Sequence, residues 1–188
     1  MGYITILIDG EKIERVNSCK LLRVALNDKL TWDNHIDILY RKCCQKLHFL
    51  AKLRRTRVSR RDMVKIYTAV IRPCLEYTCQ LWHGGLNEGQ HQQLELIQVR
   101  ALAMAYPATE YEEACTQANL ETLRQRRVTL CDRLFQECQE PSHKLFTLLP
   151  APRENRHNCR DDYIFPQPNA KTNRFKNAFI NYCIKNKM

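Results

Sequence analysis

From Asn17 to Arg55 the chain reads N-S-C-K-L-L-R-V-A-L-N-D-K-L-T-W-D-N-H-I-D-I-L-Y-R-K-C-C-Q-K-L-H-F-L-A-K-L-R-R. Its apolar period changes midway, and that change decides the fold class. Leu21 to Leu26 is a short apolar run closed by Asn27-Asp28, which predicts a strand. Beyond it, Trp32, Ile36, Leu39, Cys43, Leu47 and Leu50 step by four, three, four, four and three, which draws one stripe along a helix. Thr31 or Asp33 can cap that helix. Asp37, Arg41, Lys42, Gln45 and Lys46 fall mostly on its wet side.

Upstream, Ile4–Ile8, then Asp9-Gly10, then Lys12–Val16 reads as a hairpin, because Asp-Gly suits a tight turn with positive φ. Downstream, Ser59 with Asp62 forms a capping signature for a helix through Met63, Ile66, Tyr67, Val70 and Ile71, which Pro73 should kink or break. Cys74–Trp82 resumes as helix up to Gly84-Gly85. Asn87 with Gln90 opens a helix through Leu94, Ile97, Ala101, Leu102 and Met104 that ends before Pro107. Thr109 with Glu112 opens a short helix to Ala118, with Asn119 as a left-handed stop. Leu123–Gln139 makes the last long helix, its apolar side being Leu123, Val128, Leu130, Cys131, Leu134 and Phe135. The predicted class is mainly α. A small β-hairpin and three-strand edge (1–28) precedes an antiparallel helical bundle (29–149). An irregular basic tail (150–188) follows, with a short terminal helix from Arg174 to Asn186.

With 30 Lys+Arg against 20 Asp+Glu the net charge is +10, which favours polyanionic partners, nucleic acid before anionic membrane. No stretch is long enough to span a bilayer. The first residues lack the basic lead of a signal peptide, and Ile6 stands where myristoylation wants Ser or Thr. Ten scattered cysteines without a C-x-x-C read as reduced structural thiols of an intracellular protein, nuclear or cytoplasmic.

No strong catalytic or metal motif emerges. Two-metal polymerase chemistry needs paired carboxylates on adjacent strand ends. Asp161-Asp162-Tyr163 has such residues in the wrong order and in a loop-like tail, and reads as a solvated turn. His35-Ile36-Asp37 has the H-x-D form of an iron site, but residues two apart on a helix point about 200° apart, so they do not share an ion. Cys43-Cys44 is too close on a helix for zinc, and Cys74-x4-Cys79 sits beside Pro73 without the close ligand pairs of a structural zinc site. We therefore expect no catalytic residues, no metal and no cofactor.

The strong physical signal is arginine. Arg54, Arg55, Arg57, Arg60 and Arg61 crowd the turn between two helices. Arg124, Arg126 and Arg127 form a second cluster, and Lys171, Arg174 and Lys176 a third. Guanidinium forks fit phosphate oxygens, so these clusters read as a weak, salt-dependent backbone-binding surface with no base readout. The plainer reading is a solvated inter-helix turn.

The order of motifs resembles non-LTR retrotransposon reverse transcriptases after the palm active site. That family has F-K-Y-L-G-V-x-L, then L-x-W-x-x-H-I and a long basic helix. Here Cys19–Leu26 stands at the strand, followed by Leu30, Trp32, His35 and Ile36. Further pieces in the same order are Val70–Tyr77, Leu81–Leu86, Leu94–Leu102, Leu120–Leu123 with Arg126-Arg127, and Lys171–Asn181. The resemblance implies that Ile4–Leu26 ends a palm, that Leu21, Leu22 and Arg23 lie at a primer-grip turn, and that Leu30–Gln139 is a thumb holding primer–template duplex. It also implies that the catalytic carboxylates lie outside this chain, leaving a non-catalytic fragment. Arg23 stands where that family has glycine. Part of residues 17–55 is also similar to the short N-terminal module of AlkB-type nucleic-acid repair proteins, which implies a module from a 2-oxoglutarate dioxygenase or methyltransferase context without its own active site. A helical protein-interaction domain is the third reading.

Overall fold

Both N-terminal turns are built from residues with positive φ. The structure, a computed structural model, describes residues 6–152, 164–166, 169 and 171–186. Strands β1 (Ile6–Ile8) and β2 (Glu11–Ile13) pair antiparallel with Ile8 opposite Glu11. The turn between them is Asp9 (φ 50°) and Gly10 (φ 85°), as the Asp-Gly pair predicts. Strands β3 (Ser18–Leu21) and β4 (Val24–Asn27) form a second hairpin with Leu21 opposite Val24. This corrects the expectation of one continuous strand over Leu21–Leu26. Leu22 (φ 45°) and Arg23 (φ 68°) make the turn, although neither residue type favours the left-handed region. Sequence shows no turn there because the usual Asn or Gly is missing. Of the four strands only β4 enters the core, through Val24 and Ala25.

Helix α1 (Asp33–Arg55) buries Ile36, Leu39, Cys43, Leu47 and Leu50, the stripe expected from spacing, together with His35. It packs on α5 (Glu88–Ala105) and on the segment from α2 (Arg60–Ile66) to α3 (Arg72–Glu76). Ser59 caps α2, its Oγ accepting from the Asp62 backbone N–H at 3.1 Å. Pro73 does not break the segment. The turn before it, Tyr67–Ile71, widens into a π-helix. A wider turn removes the demand for the missing proline N–H and makes room for its ring, so the chain continues into α3. Thr78, at φ 50°, then separates α3 from the short α4 (Cys79–Trp82).

Asn87 and Gln90 close the expected capping box on α5, with bonds of 2.9 and 3.0 Å. α6 (Tyr111–Ala118) stops at left-handed Asn119, φ 52°, also as expected. Its N-cap is Glu110, not Thr109. α7 (Leu123–Cys138) starts on a Thr122 cap and buries Leu123, Cys131 and Phe135 of its predicted apolar side. Val128, Leu130 and Leu134 of that side are half-buried, and Arg127 and Cys138 are buried instead.

The C-terminal region contributes to the core. α8 (Asn173–Lys176) and α9 (Phe179–Lys185) stand where one helix was expected. Cys183 and Ile184 of α9 join Cys131, Phe135 and Phe165 in a second apolar cluster. Gly84 fixes how closely the C-terminal helices approach. A Cβ there would lie 2.7 Å from the Asn177 carbonyl oxygen and 2.8 Å from the Tyr182 ring. A backbone carbonyl cannot swing aside, so Gly84→Ala is expected to destabilise by about 2 kcal/mol through overpacking. Thermal unfolding checks this; an unchanged melting temperature would show that the approach is loose.

Candidate nucleic-acid interface

The turn after α1 is anchored inside and charged outside. Val58 packs against the main core, while Arg54, Arg55, Arg57, Arg60 and Arg61 are all exposed. Arg54 and Arg55 also suit the negative end of the α1 dipole, a purely structural benefit. Arg57 holds a left-handed φ of 60°, and the Arg60 guanidinium lies 6.0 Å from the centre of the Tyr106 ring. Among the described residues none of these five arginines has a carboxylate within salt-bridge distance.

Helix geometry extends this cluster. Arg41, Lys42 and Lys52 are exposed on α1, with Gln45, His48 and Phe49 among them. From Arg41 to Arg55 the rise is about 21 Å at 1.5 Å per residue. That length matches roughly six successive phosphates of one strand at 3.4 Å each. Sequence periodicity places Arg41 and Lys42 on the wet face, but none of the three basic clusters read from sequence includes them. Lys46 is engaged elsewhere, donating to the Val70 carbonyl at 2.8 Å.

The second cluster faces its own carboxylates. Arg124 holds both Glu88 oxygens at 3.0 Å, and Arg126 bridges Glu76 at 3.2 Å and Glu121 at 3.5 Å. Arg127 corrects the expectation of a phosphate-facing residue, because it is fully buried. Its Nε donates to His83 Nδ1 and its Nη2 lies by His91 Nδ1, both at 3.4 Å. Its guanidinium sits 5.9 Å from the Trp82 ring centre, and its Nη1 has no partner. Burial lowers the Arg127 pKa, and the Glu95 carboxylate opposes that. Burial and the Arg127 charge push His83 down to about 3 and His91 down to about 4. Both imidazoles are therefore neutral at pH 7. The third cluster, Lys171, Arg174 and Lys176, is exposed at α8, near the opposite end of α1 from the arginine turn.

Leu21, Leu22 and Arg23 form the tip of the β3–β4 hairpin and are exposed. The tip is tied to the helices by one bond, Tyr77 Oη donating to the Leu22 carbonyl at 3.0 Å. His35 and Asp37 point apart, as helix geometry requires. His35 is buried beside Trp32 and Trp82 and accepts the Ala25 N–H at 3.3 Å. Asp37 is exposed and accepts from Gln93 at 3.4 Å. Among the described residues no three His, Cys, Asp or Glu side chains converge to hold a metal ion. Asp161-Asp162-Tyr163 lies outside the described residues. Cys43, Cys79, Cys115, Cys131, Cys138 and Cys183 are buried free thiols, and among the described residues no helix is long and apolar enough to cross a membrane.

Residues 32–72 match the family model described as "Alkylated DNA repair protein alkB homolog 8, N-terminal". The matched segment runs from the residue before α1 through the arginine turn and α2 to the first residue of α3, so it contains the whole basic ridge. No curated protein and no solved structure matches the chain. The reverse-transcriptase resemblance therefore rests on its motifs alone, while the AlkB-type similarity over this segment has independent support.

Proposed function

We propose that this chain is a non-catalytic helical module that holds the sugar–phosphate backbone of nucleic acid along α1 and the arginine turn. One observation carries the reading: five exposed arginines without carboxylate partners continue onto the outer face of α1, whereas the second basic cluster is neutralised internally. The matched family is named for repair of alkylated DNA, which is consistent with a nucleic-acid partner. On this reading the module positions a strand and leaves chemistry to another domain or chain. It needs no metal or cofactor of its own.

The test is binding of the full chain to a labelled RNA–DNA hybrid and to duplex DNA over a salt series. Affinity should fall steeply with salt. The variant R54A/R55A/R57A/R60A/R61A should bind at least tenfold more weakly, and its log–log salt slope should be shallower by about 4, close to one unit per lost phosphate contact. Equal affinity and slope in the variant would overturn the reading.

A second reading, a remnant of a reverse-transcriptase thumb, is favoured by the β3–β4 hairpin. Arg23 adopts the positive φ that the glycine at that position in the family would accept without strain. Preference for the RNA–DNA hybrid over duplex DNA, lost when the hairpin tip is altered by Leu22→Asn and Arg23→Gly, supports it. Equal affinity for both duplexes counts against it.

A further inference from the structure

At the N-terminal end of α1 the bundle opens into a cavity of about 470 Å³. The loop after β4, the starts of α1 and α5, and the segment from α8 to α9 enclose it. Its size lies within the roughly 300–1,000 Å³ of small-molecule sites and is far too small for a helix or a duplex.

The walls are held in place before any ligand arrives. Asn27 and Thr31 exchange two hydrogen bonds of 2.8 Å across the loop. Gln90 donates to Asp33 at 2.8 Å, which locks the start of α5 to the start of α1. Gly85 lets the Trp32 indole close in, since a Cβ there would sit 2.5 Å from its Nε1. Leu30, on the lining, keeps a left-handed φ of 49°, a strain of the sort that collects at ligand sites. The N-terminal amides of α5 do not supply an anion site, because Asn87 already accepts the Gln90 N–H.

The lining combines three kinds of chemistry. Trp32 and Phe179 present aromatic surface and Leu81 aliphatic surface. Lys29 and Arg174 are exposed cations at the same cavity, and Asn173 and Asn177 bring amides. A ligand matching all three is flat and apolar on its faces, polar at its edges and anionic at one end. We propose that this cavity binds one nucleotide unit, with its base against Trp32 and Phe179 and its phosphate between Lys29 and Arg174. This goes beyond the backbone-binding reading and connects to it. Trp32 lies nine residues before Arg41, about 14 Å along α1 and half a turn round it, so a strand on the ridge reaches the cavity only with an unpaired end that passes round the start of the helix.

The experiment is calorimetric titration of the full chain with AMP, CMP, GMP and UMP, with adenosine and inorganic phosphate as controls. A second arm compares a short duplex bearing a single-stranded overhang of several nucleotides with the blunt duplex. Saturable one-to-one binding of the mononucleotides is expected, with adenosine and phosphate each at least tenfold weaker. Ala178→Trp fills the cavity from an exposed position without removing any core side chain, and should abolish that binding while circular dichroism and melting temperature stay as in the wild type. Arg174→Gln should weaken the mononucleotides tenfold and leave adenosine where it was. Tighter binding of the overhang, lost in Ala178→Trp, assigns the unit to the end of a strand. Binding of mononucleotides alone assigns it to free nucleotide. Either result supports the site.

No mononucleotide binding, phosphate binding as well as AMP, or Ala178→Trp behaving as wild type would each overturn it. If the chain holds blunt duplex with steep salt dependence but no mononucleotide, the cavity proposal fails and the ridge stands. If it holds mononucleotides but no duplex, the ridge fails and the cavity stands.

Discussion

Arg127→Ala should lose about 4 kcal/mol of folding stability, the largest single-residue effect expected in this chain. The side chain is fully buried on α7, so truncation leaves a large cavity, and large-to-small core changes cost about 2–5 kcal/mol. It also strips a donor from His83 and one contact from His91, and each unsatisfied buried polar group adds about 1–3 kcal/mol where the site does not collapse. Arg127→Met separates volume from charge. Methionine replaces the aliphatic stem and removes a buried cation whose Nη1 has no partner. Buried charges exchanged for apolar groups of similar size are often neutral or better. The Met variant should therefore recover more than half of what the Ala variant loses, as read from urea midpoints at pH 7. Equal instability of the two would show that the guanidinium charge, through Glu95 and the Trp82 face, holds the site.

Acid should destabilise the fold well before carboxylates titrate. His83 and His91 are both depressed by burial first and by the Arg127 charge second, to about 3 and about 4. The His83 ring meets Arg127 from α7, His91 from α5 and Tyr182 from α9, and Arg124 adds further positive charge at both rings. Glu88 is the one carboxylate that raises the pKa of His91. In the unfolded chain histidines titrate near 6.5. Between that value and the native ones, the unfolded state holds protons that the native state lacks. Stability is thus fully present above about pH 6.5 and declines as pH falls, until the native rings themselves protonate near 4 and 3. For the two histidines together the loss from pH 7 to pH 5 should be about 3 kcal/mol. His35, lowered by burial, acts in the same direction. Urea unfolding at the two pH values checks this, and His83→Gln should remove close to half of the difference. Equal midpoints at pH 7 and pH 5 would mean that the rings titrate in the fold as they do in the unfolded chain.

These two predictions come from a residue that sequence reading placed on the surface. Arg127 sits four residues from Leu123 and from Cys131, on the line that continues to Phe135 and Cys138. An arginine interrupts that line, so sequence reading keeps Leu123, Cys131 and Phe135 inside but fills the gap with Val128, Leu130 and Leu134, which are only half-buried. What keeps Arg127 inside is a pair of histidine acceptors and an indole face brought by other helices. Lys29, Trp32 and Arg174 show the same limit at the proposed nucleotide cavity. Lys29 and Trp32 are near neighbours, but Arg174 is far from both in sequence and meets them only because α8 folds back against the starts of α1 and α5.

Local chemistry settled by sequence alone includes the Asp-Gly turn, the α1 stripe, the Ser59 and Asn87 caps and the left-handed stop at Asn119. Each needs only residues within a few positions of one another, so short-range sterics and hydrogen bonding determine them. The exposed arginine turn belongs to this group as well, since a charged segment between two amphipathic helices has nowhere to go but solvent. Only the tertiary structure decided the rest. It turned Leu22-Arg23 into a hairpin tip tied to Tyr77, widened the helix before Pro73, and neutralised Arg124 and Arg126 on Glu88, Glu76 and Glu121. It also buried Arg127, because the partners that offset its desolvation are 36 and 44 residues away along the chain.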